Sequence, residues 1–469
     1  MKLNKFTSAL VALGVVSLAS VAQAVPITIY ITGSTAARAN FFTAATTPGQ
    51  IFAVPNAAGA GGVGIDSPAP NNVNSVNTIT FEGTLAFGPL AGQDVIINCA
   101  WTGSEAGIAS VAGATLKQTL FPPDDPNAAP GGTQYALPGQ PPLYLTPASG
   151  YTATAPLSAI PGAPANPDLS MADTSQRVSQ TPAPLLTEYG IVGIIPFTAM
   201  KGYESAPDPT YGRVSNVPQP ALAQAAISGE TLNAYYLTGN LADGVDGIGI
   251  IGRNLGSGTK ANFMLTGALL PINNPVSQVA LNSGYPVATP GVLTFNGPYG
   301  PAGAVVDSPV GNDGFDSGSG VQKCLNADGS GLGIVYVGYL GLGDAKHAKN
   351  DDNTGPGGVG TAANSGPAVV LSYNGVFESD SAVETGNYTW WGQEHLYGTP
   401  GQVAPATQIA DGIVSGLNQQ TATIVNPGGN ESTVFQNGLL PVPSMQVFRS
   451  LDYGTPQQGA WPAPYQFTH

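Results

Sequence analysis

The sequence predicts an α/β protein of two lobes, and two observations carry that expectation. Strand-like runs rich in β-branched residues recur along the chain, and each passes through a short Gly/Ser/Thr turn into a helix-like stretch. The length, 469 residues, allows two or three domains, and 42% hydrophobic residues suffice for sizeable cores.

The units come in order. Ile27–Ile31 (ITIYI) is a strand, Thr32-Gly33-Ser34-Thr35-Ala36 a turn, and the stretch with Phe41 and Phe42 a helix. Asp94–Cys99 (DVIINC) is a second strand, followed by Gly103-Ser104-Glu105-Ala106-Gly107 and a helix over IASVAGATLKQTL. Residues 122–168 are dense in Pro, Gly and Ala and read as an inserted loop or flap. Asp168–Ser175 resumes the fold, and Ile191–Met200 is a buried strand. Ser228–Gly239 is a capped helix, Ile248–Gly252 a strand, and Arg253–Phe263 a turn into a helix. Residues 270–330 read as a second insertion, Ile334–Tyr339 as a strand and 343–366 as a polar loop. The tail adds a strand (AVVLSY), an aromatic segment Asn387–Tyr397 and a helix Thr407–Leu417. The expected division is 25–200 for the first lobe, 201–375 for the second, and 376–469 returning to the first.

The N-terminus has the form of a secretory signal. Lys2 and Lys5 precede an apolar run from Ala9 to Val21, and Ala22-Gln23-Ala24 is a small-x-small cleavage site. Residues 1–24 would be removed, leaving a periplasmic or extracellular product without a membrane span. An oxidising compartment permits, without requiring, a disulfide between Cys99 and Cys324, the only cysteines.

Charged residues are only 9% of the chain, and the formal charge is −15. Loss of the two leader lysines takes it to −17. Such a surface repels nucleic acid and anionic membrane. A small anion would have to be held by local donors.

Three turns supply such donors: Gly33-Ser34-Thr35, Gly103-Ser104 and Gly256-Ser257-Gly258-Thr259. Helix N-termini leave backbone N–H groups unpaired, small residues let an anion approach them, and hydroxyls add further donors. Each turn alone is equally an ordinary helix cap. Arg253 sits four residues before Ser257, and its planar fork suits a tetrahedral oxyanion.

With these residues in view, RNLGSGT resembles the R-x-x-G-S-G-T signature of the periplasmic phosphate-binding proteins of ABC phosphate importers. ITGSTAARANFF, WTGSEAGIASVAG, DLSMADTSQR, IVGIIPFTAMKG, SGETLNAYYLTG, IVYVGY and GNYTWWGQEHLY resemble further segments of that family, in order, over most of residues 27–400. The resemblance implies the type II periplasmic-binding-protein fold, with two chain crossings at a hinge and the ligand in the cleft between lobes. It implies that Arg253 pairs with the anion and that Ser257, Gly258 and Thr259 donate from backbone and hydroxyl. Ser104 would donate from the opposite lobe, and Ser34, Thr35 and Ala36 from the first turn. Asp173 would accept a hydrogen bond from a protonated ligand oxygen, which favours hydrogen phosphate over sulfate. The expected ligand is phosphate or a related oxyanion, the expected partner an ABC permease, and no cofactor or metal is implied. Leu255 and Glu105 depart from the family pattern, the latter by placing an acid beside Ser104.

Two rival readings follow from the same residues. The Gly/Pro/Asn-rich insertions and scarce lysine suit an envelope or interaction protein that keeps the fold without transport. A secreted hydrolase would need a nucleophile–base pair or metal cluster, and no G-x-S-x-G elbow, Walker loop or zincin helix is present, so a non-enzyme is expected. Asp344, Asp351, Asp352 and Asn353 do not have the spacing of an EF-hand loop. His395 among Trp390, Trp391 and Tyr397 reads as part of an aromatic core.

Overall fold

The structure is a computed structural model. It describes residues 27–46, 49–53, 64–66, 78–113, 164–202, 226–238, 248–254, 256–272, 318–326, 335–348, 368–423 and 438–449. Short stretches at 119–120, 135–136, 152–153, 279–280, 305–306, 315, 453–454 and 456–458 are also described. The expected leader, Leu255 and the acidic residues 351–353 lie outside them.

The strands of the main sheet are β1 (Ile27–Gly33), β2 (Gly64–Asp66), β3 (Thr78–Thr84), β4 (Asp94–Ala100), β5 (Leu169–Ala172), β6 (Thr187–Lys201), β7 (Ile248–Ile250), β8 (Val335–Gly341), β9 (Val369–Val370) and β10 (Trp391–Gly398). They form one sheet in the order β7-β8-β6-β10-β5-β1-β4-β3-β2, with β9 pairing β6 off that path. β1 is parallel to β4 and β5, and β7 to β8, while β6 is antiparallel to both β8 and β10. Parallel partners need crossover connections, and the helices supply them.

Two large hydrophobic cores lie along this sheet, beside a small third cluster of Ile108, Val111, Ala172, Leu186 and Tyr397. The first gathers Ile31, Ile97, Tyr189, Val192 and Leu396 with the helix α1 (Arg38–Thr46) through Phe41. It also takes the C-terminal helix Ala406–Thr423, whose Ile409, Ala410, Ile413, Val414 and Leu417 recur at helical spacing. The second gathers Ile194, Phe197, Tyr236, Phe263, Tyr339, Trp390 and Trp391. Two strands pass from one core to the other. β6 contributes Tyr189 and Val192 to the first and Ile194 to Met200 to the second. Register shifts between Glu188 and Gly190 and between Ile191 and Gly193 re-aim its side chains where it crosses. β10 crosses in the opposite sense, with Trp391 in the second core and Leu396 in the first.

Several local expectations change. The helix after Gly103 is α2, Ser104–Val111, and it stops where Ala112 and Gly113 turn the chain. A nine-residue helix, Gly318–Asn326, lies within the segment read as an insertion. Its Val321, Cys324 and Leu325 are buried at helical spacing, a pattern masked by the surrounding glycines. The start of the expected polar loop is likewise a helix, Leu342–Ala348, because Leu342, Ala345 and Ala348 share a buried face. Cys99 and Cys324 are free and buried in different cores, so no disulfide joins them. The Pro/Gly-rich segment meets itself at its base, where Thr119–Leu120 pairs with Pro164–Ala165. Asp168 then returns the chain to β1 by a reciprocal pair: its carboxylate accepts the Tyr30 N–H at 2.9 Å, and its own N–H donates to the Tyr30 carbonyl at 2.8 Å. Among the described residues, no helix is long and apolar enough to cross a membrane.

Candidate functional site

Where the two cores face each other, one small pocket is lined from both sides. The first lobe supplies Ser34, Thr35, Gly103, Ser104 and Asp173, and the second supplies Arg253, Ser257, Gly258 and Thr259. Of the residues nominated from sequence, only Ala36 is not in the lining; its N–H donates to the Ser34 hydroxyl at 3.2 Å.

Each residue is positioned by the end of a strand or the start of a helix. Ser34 follows β1, and its N–H donates to the Met171 carbonyl of β5 at 2.7 Å. Ser104 opens α2 behind Gly103, whose N–H donates to the Gly33 carbonyl at 2.8 Å. Gly103 has φ of 94°, and a Cβ there would come within 2.7 Å of the Gly256 carbonyl oxygen across the cleft. A glycine is therefore required both by backbone conformation and by the closeness of the other lobe. Asp173 follows β5 directly.

The second lobe holds its residues on an aromatic stack. Phe263 lies flat against Tyr339, with centroids 4.0 Å apart and planes at 3°, and Tyr236 packs on the same ring. The Tyr339 hydroxyl accepts the Arg253 N–H at 3.1 Å, and Arg253 Nε donates to the Phe315 carbonyl at 3.1 Å. The guanidinium is thus anchored while only 2% exposed. Ser257 caps the short helix α3 (Gly258–Asn262), its Oγ accepting the Lys260 N–H at 3.3 Å.

The donors converge on one carboxylate. Ser104 donates its hydroxyl proton to Asp173 Oδ1, and Thr259 donates to Oδ2 at 3.1 Å. Asn262 Nδ2 donates to the Asp173 carbonyl. One hydroxyl from each lobe therefore meets the same anionic group, with the charge of Arg253 beside it. Burial pushes the Asp173 carboxyl above its ordinary 3.8, against the Ser104 hydrogen bond, Arg253 and the Thr259 hydrogen bond, which pull it down. Donors that converge on a carboxylate are equally placed for the oxygens of a small oxyanion.

Glu105 takes no part in the lining. Its Oε2 accepts the Gln180 N–H at 2.8 Å within the first lobe. Gly103 belongs to the second donor turn read from the sequence. Asn262 and Thr174 carry no sequence signal of a role here: Asn262 lies in the helix that follows Arg253, and Thr174 merely follows Asp173. Thr174 is 2% exposed, its Oγ1 has no hydrogen-bond partner among the described residues, and it faces Gly258. Among the described residues, no group of three or more His, Cys, Asp or Glu side chains is placed to hold a metal ion.

The raised Asp173 carboxyl has a measurable consequence. Its folded pKa exceeds its unfolded one, so the group adds stability at low pH that is lost as pH rises through the folded value. Asp173→Asn keeps an acceptor for Ser104 and removes the titration. Without ligand, the variant should gain on the wild type as pH rises from the ordinary carboxyl value of 3.8 through the raised folded value. Paired denaturant titrations check this; a pH-independent difference would contradict it.

No family model matches the sequence, and no curated protein matches it significantly. Solved structures do. The chain is similar to an ABC-type phosphate transport receptor from Vibrio cholerae, at 11% identity and a TM-score of 0.37, over 88% of this chain and 99% of that one. It is similar to a protein assigned as a phosphate ABC transporter substrate-binding protein, solved with bound phosphate, from Clostridium perfringens. That match has 11% identity and a TM-score of 0.41, over 88% of this chain and 99% of that one. It is also similar to PstS from Borrelia burgdorferi, at 11% identity and a TM-score of 0.32, over 88% and 98% of the two chains.

Proposed function

We propose that this chain is an extracytoplasmic solute-binding protein that captures phosphate, or a closely related oxyanion, between its two lobes. The observation that carries the reading is the convergence of hydroxyls from both lobes, beside a buried arginine, on the Asp173 carboxylate. A bound anion would take the Ser104 and Thr259 hydroxyl protons that Asp173 now receives. Arg253 would balance its charge, and the Ser257–Gly258 turn would add backbone donors. Asp173 would share one proton with a ligand oxygen. Hydrogen phosphate brings that proton and sulfate does not, so sulfate would face an unmatched buried carboxylate.

Ligand contacts on both lobes would favour the closed arrangement over an open one by their differential binding energy. Delivery to an ABC-type permease, or to a sensor, is the role that such a receptor serves. The chemistry needs no cofactor, and the site is read as a binding site rather than a catalytic one.

Protein stripped of bound anions should melt at higher temperature with phosphate than without. At a hundred times the dissociation constant the expected stabilisation is roughly 2.7 kcal/mol. Sulfate at equal concentration should give much less. An unchanged melting curve at millimolar phosphate would count against the proposal.

A further inference from the structure

Glu394 lies on β10 between the residues that fill the two cores, Trp391 on one side and Leu396 on the other. It is fully buried, at 0% exposure. It pairs with Gly193 of β6, at the register shift where that strand also crosses. Its Oε2 accepts the hydroxyl proton of Ser34 at 3.1 Å, from a residue 360 positions away. Ser34 Oγ accepts in turn the Ala36 N–H at 3.2 Å.

A serine hydroxyl has a single proton. Given to Glu394, it leaves Oγ as an acceptor for Ala36, and the turn is fixed in one shape. The Glu394 hydrogen bond therefore sets the shape of a turn that lines the pocket.

We propose that Glu394 is the positioning residue of the first ligand turn: it ties Ser34–Ala36 to the strand that crosses between the lobes, and the shape it fixes supports ligand binding. The first part stands on the geometry alone, and the second rests on the oxyanion reading of the site. Two variants test both. Glutamine keeps a carbonyl acceptor for Ser34, whereas leucine loses it.

Hydrogen exchange in the absence of ligand reads the first part. Glu394→Leu should speed exchange at the Ala36 amide, and Glu394→Gln should leave it near the wild-type rate. Peptides from the helix Ala406–Thr423 report whether the first core stays folded. Phosphate titration reads the second part. Glu394→Leu should weaken binding by about tenfold, the scale of one lost hydrogen bond. Glu394→Gln should bind much as the wild type does.

Unchanged Ala36 exchange in a folded Glu394→Leu variant would overturn the positioning role. Weakening by glutamine as great as by leucine would overturn the second part. Should leucine prevent folding, Glu394→Met, of similar length and also without a carbonyl acceptor, takes its place in both measurements. Should the wild type bind no oxyanion, the reading of the pocket falls, and the exchange result alone judges the positioning role.

Discussion

Arg253→Ala will bind phosphate more weakly by about 2–5 kcal/mol, the usual consequence of truncating one partner of a desolvated, hydrogen-bonded charge pair. The guanidinium lines the pocket at 2% exposure, and its charge acts directly on Asp173. Folding will suffer less. The Phe315 carbonyl loses the Nε donor, worth about 1–3 kcal/mol if left unsatisfied. The carbonyl keeps the Asn254 N–H at 3.0 Å, which limits that loss. Removing Arg253 also removes a charge that holds the Asp173 carboxyl down, so its pKa rises further. The stability loss should therefore be larger at neutral than at acid pH. Arg253→Lys should fall between wild type and alanine, since it keeps the charge but not the fork. Calorimetry and denaturation of the three proteins check the order. Wild-type affinity in the alanine variant would remove Arg253 from the site.

Gly258→Ala should have the next largest effect, through geometry alone. A Cβ at this position would lie 1.7 Å from Asp173 Oδ1, 2.5 Å from Thr174 Oγ1 and 2.7 Å from Ser104 Cβ, all in the opposite lobe. Asp173 cannot simply swing away, because Ser104, Thr259 and Asn262 all hold it. The lobes must part, with a strain of about 1–3 kcal/mol typical of an overpacked contact. Gly258 belongs to neither core, so far-ultraviolet dichroism should be unchanged. Phosphate affinity should fall by about tenfold or more, in line with that strain. Small-angle scattering should show a larger radius of gyration with saturating phosphate than the wild type has. Unaltered affinity and size would mean that the Gly258 contact with the first lobe does not shape the ligand-bound state.

What could be read from the sequence followed from local chemistry. Strand, small turn and helix are short-range patterns, so β1, β4 and the turns at Ser34, Ser104 and Ser257 were legible. The family-like run around Arg253 named the second lobe's share of the lining, Arg253, Ser257, Gly258 and Thr259. The remaining partners meet only through topology. Glu394 reaches Ser34 across 360 residues, and no spacing announces that contact. Asn262 and Thr174 matter because the opposite lobe comes close, which no single segment records. The helix Gly318–Asn326 escaped because its glycine-rich start and Pro/Gly-rich surroundings outweighed a brief apolar spacing. The cysteines escaped because their placement depends on which core each strand or helix joins.

The central claim is that Arg253, the three turns and Asp173 form one oxyanion site that reads the proton on its ligand. Titration calorimetry of stripped protein with phosphate, repeated in excess sulfate, tests it most directly. The expected result is a single saturable site whose phosphate affinity sulfate barely changes. The contradicting result is either no saturable heat at millimolar phosphate or a phosphate signal that the excess sulfate abolishes.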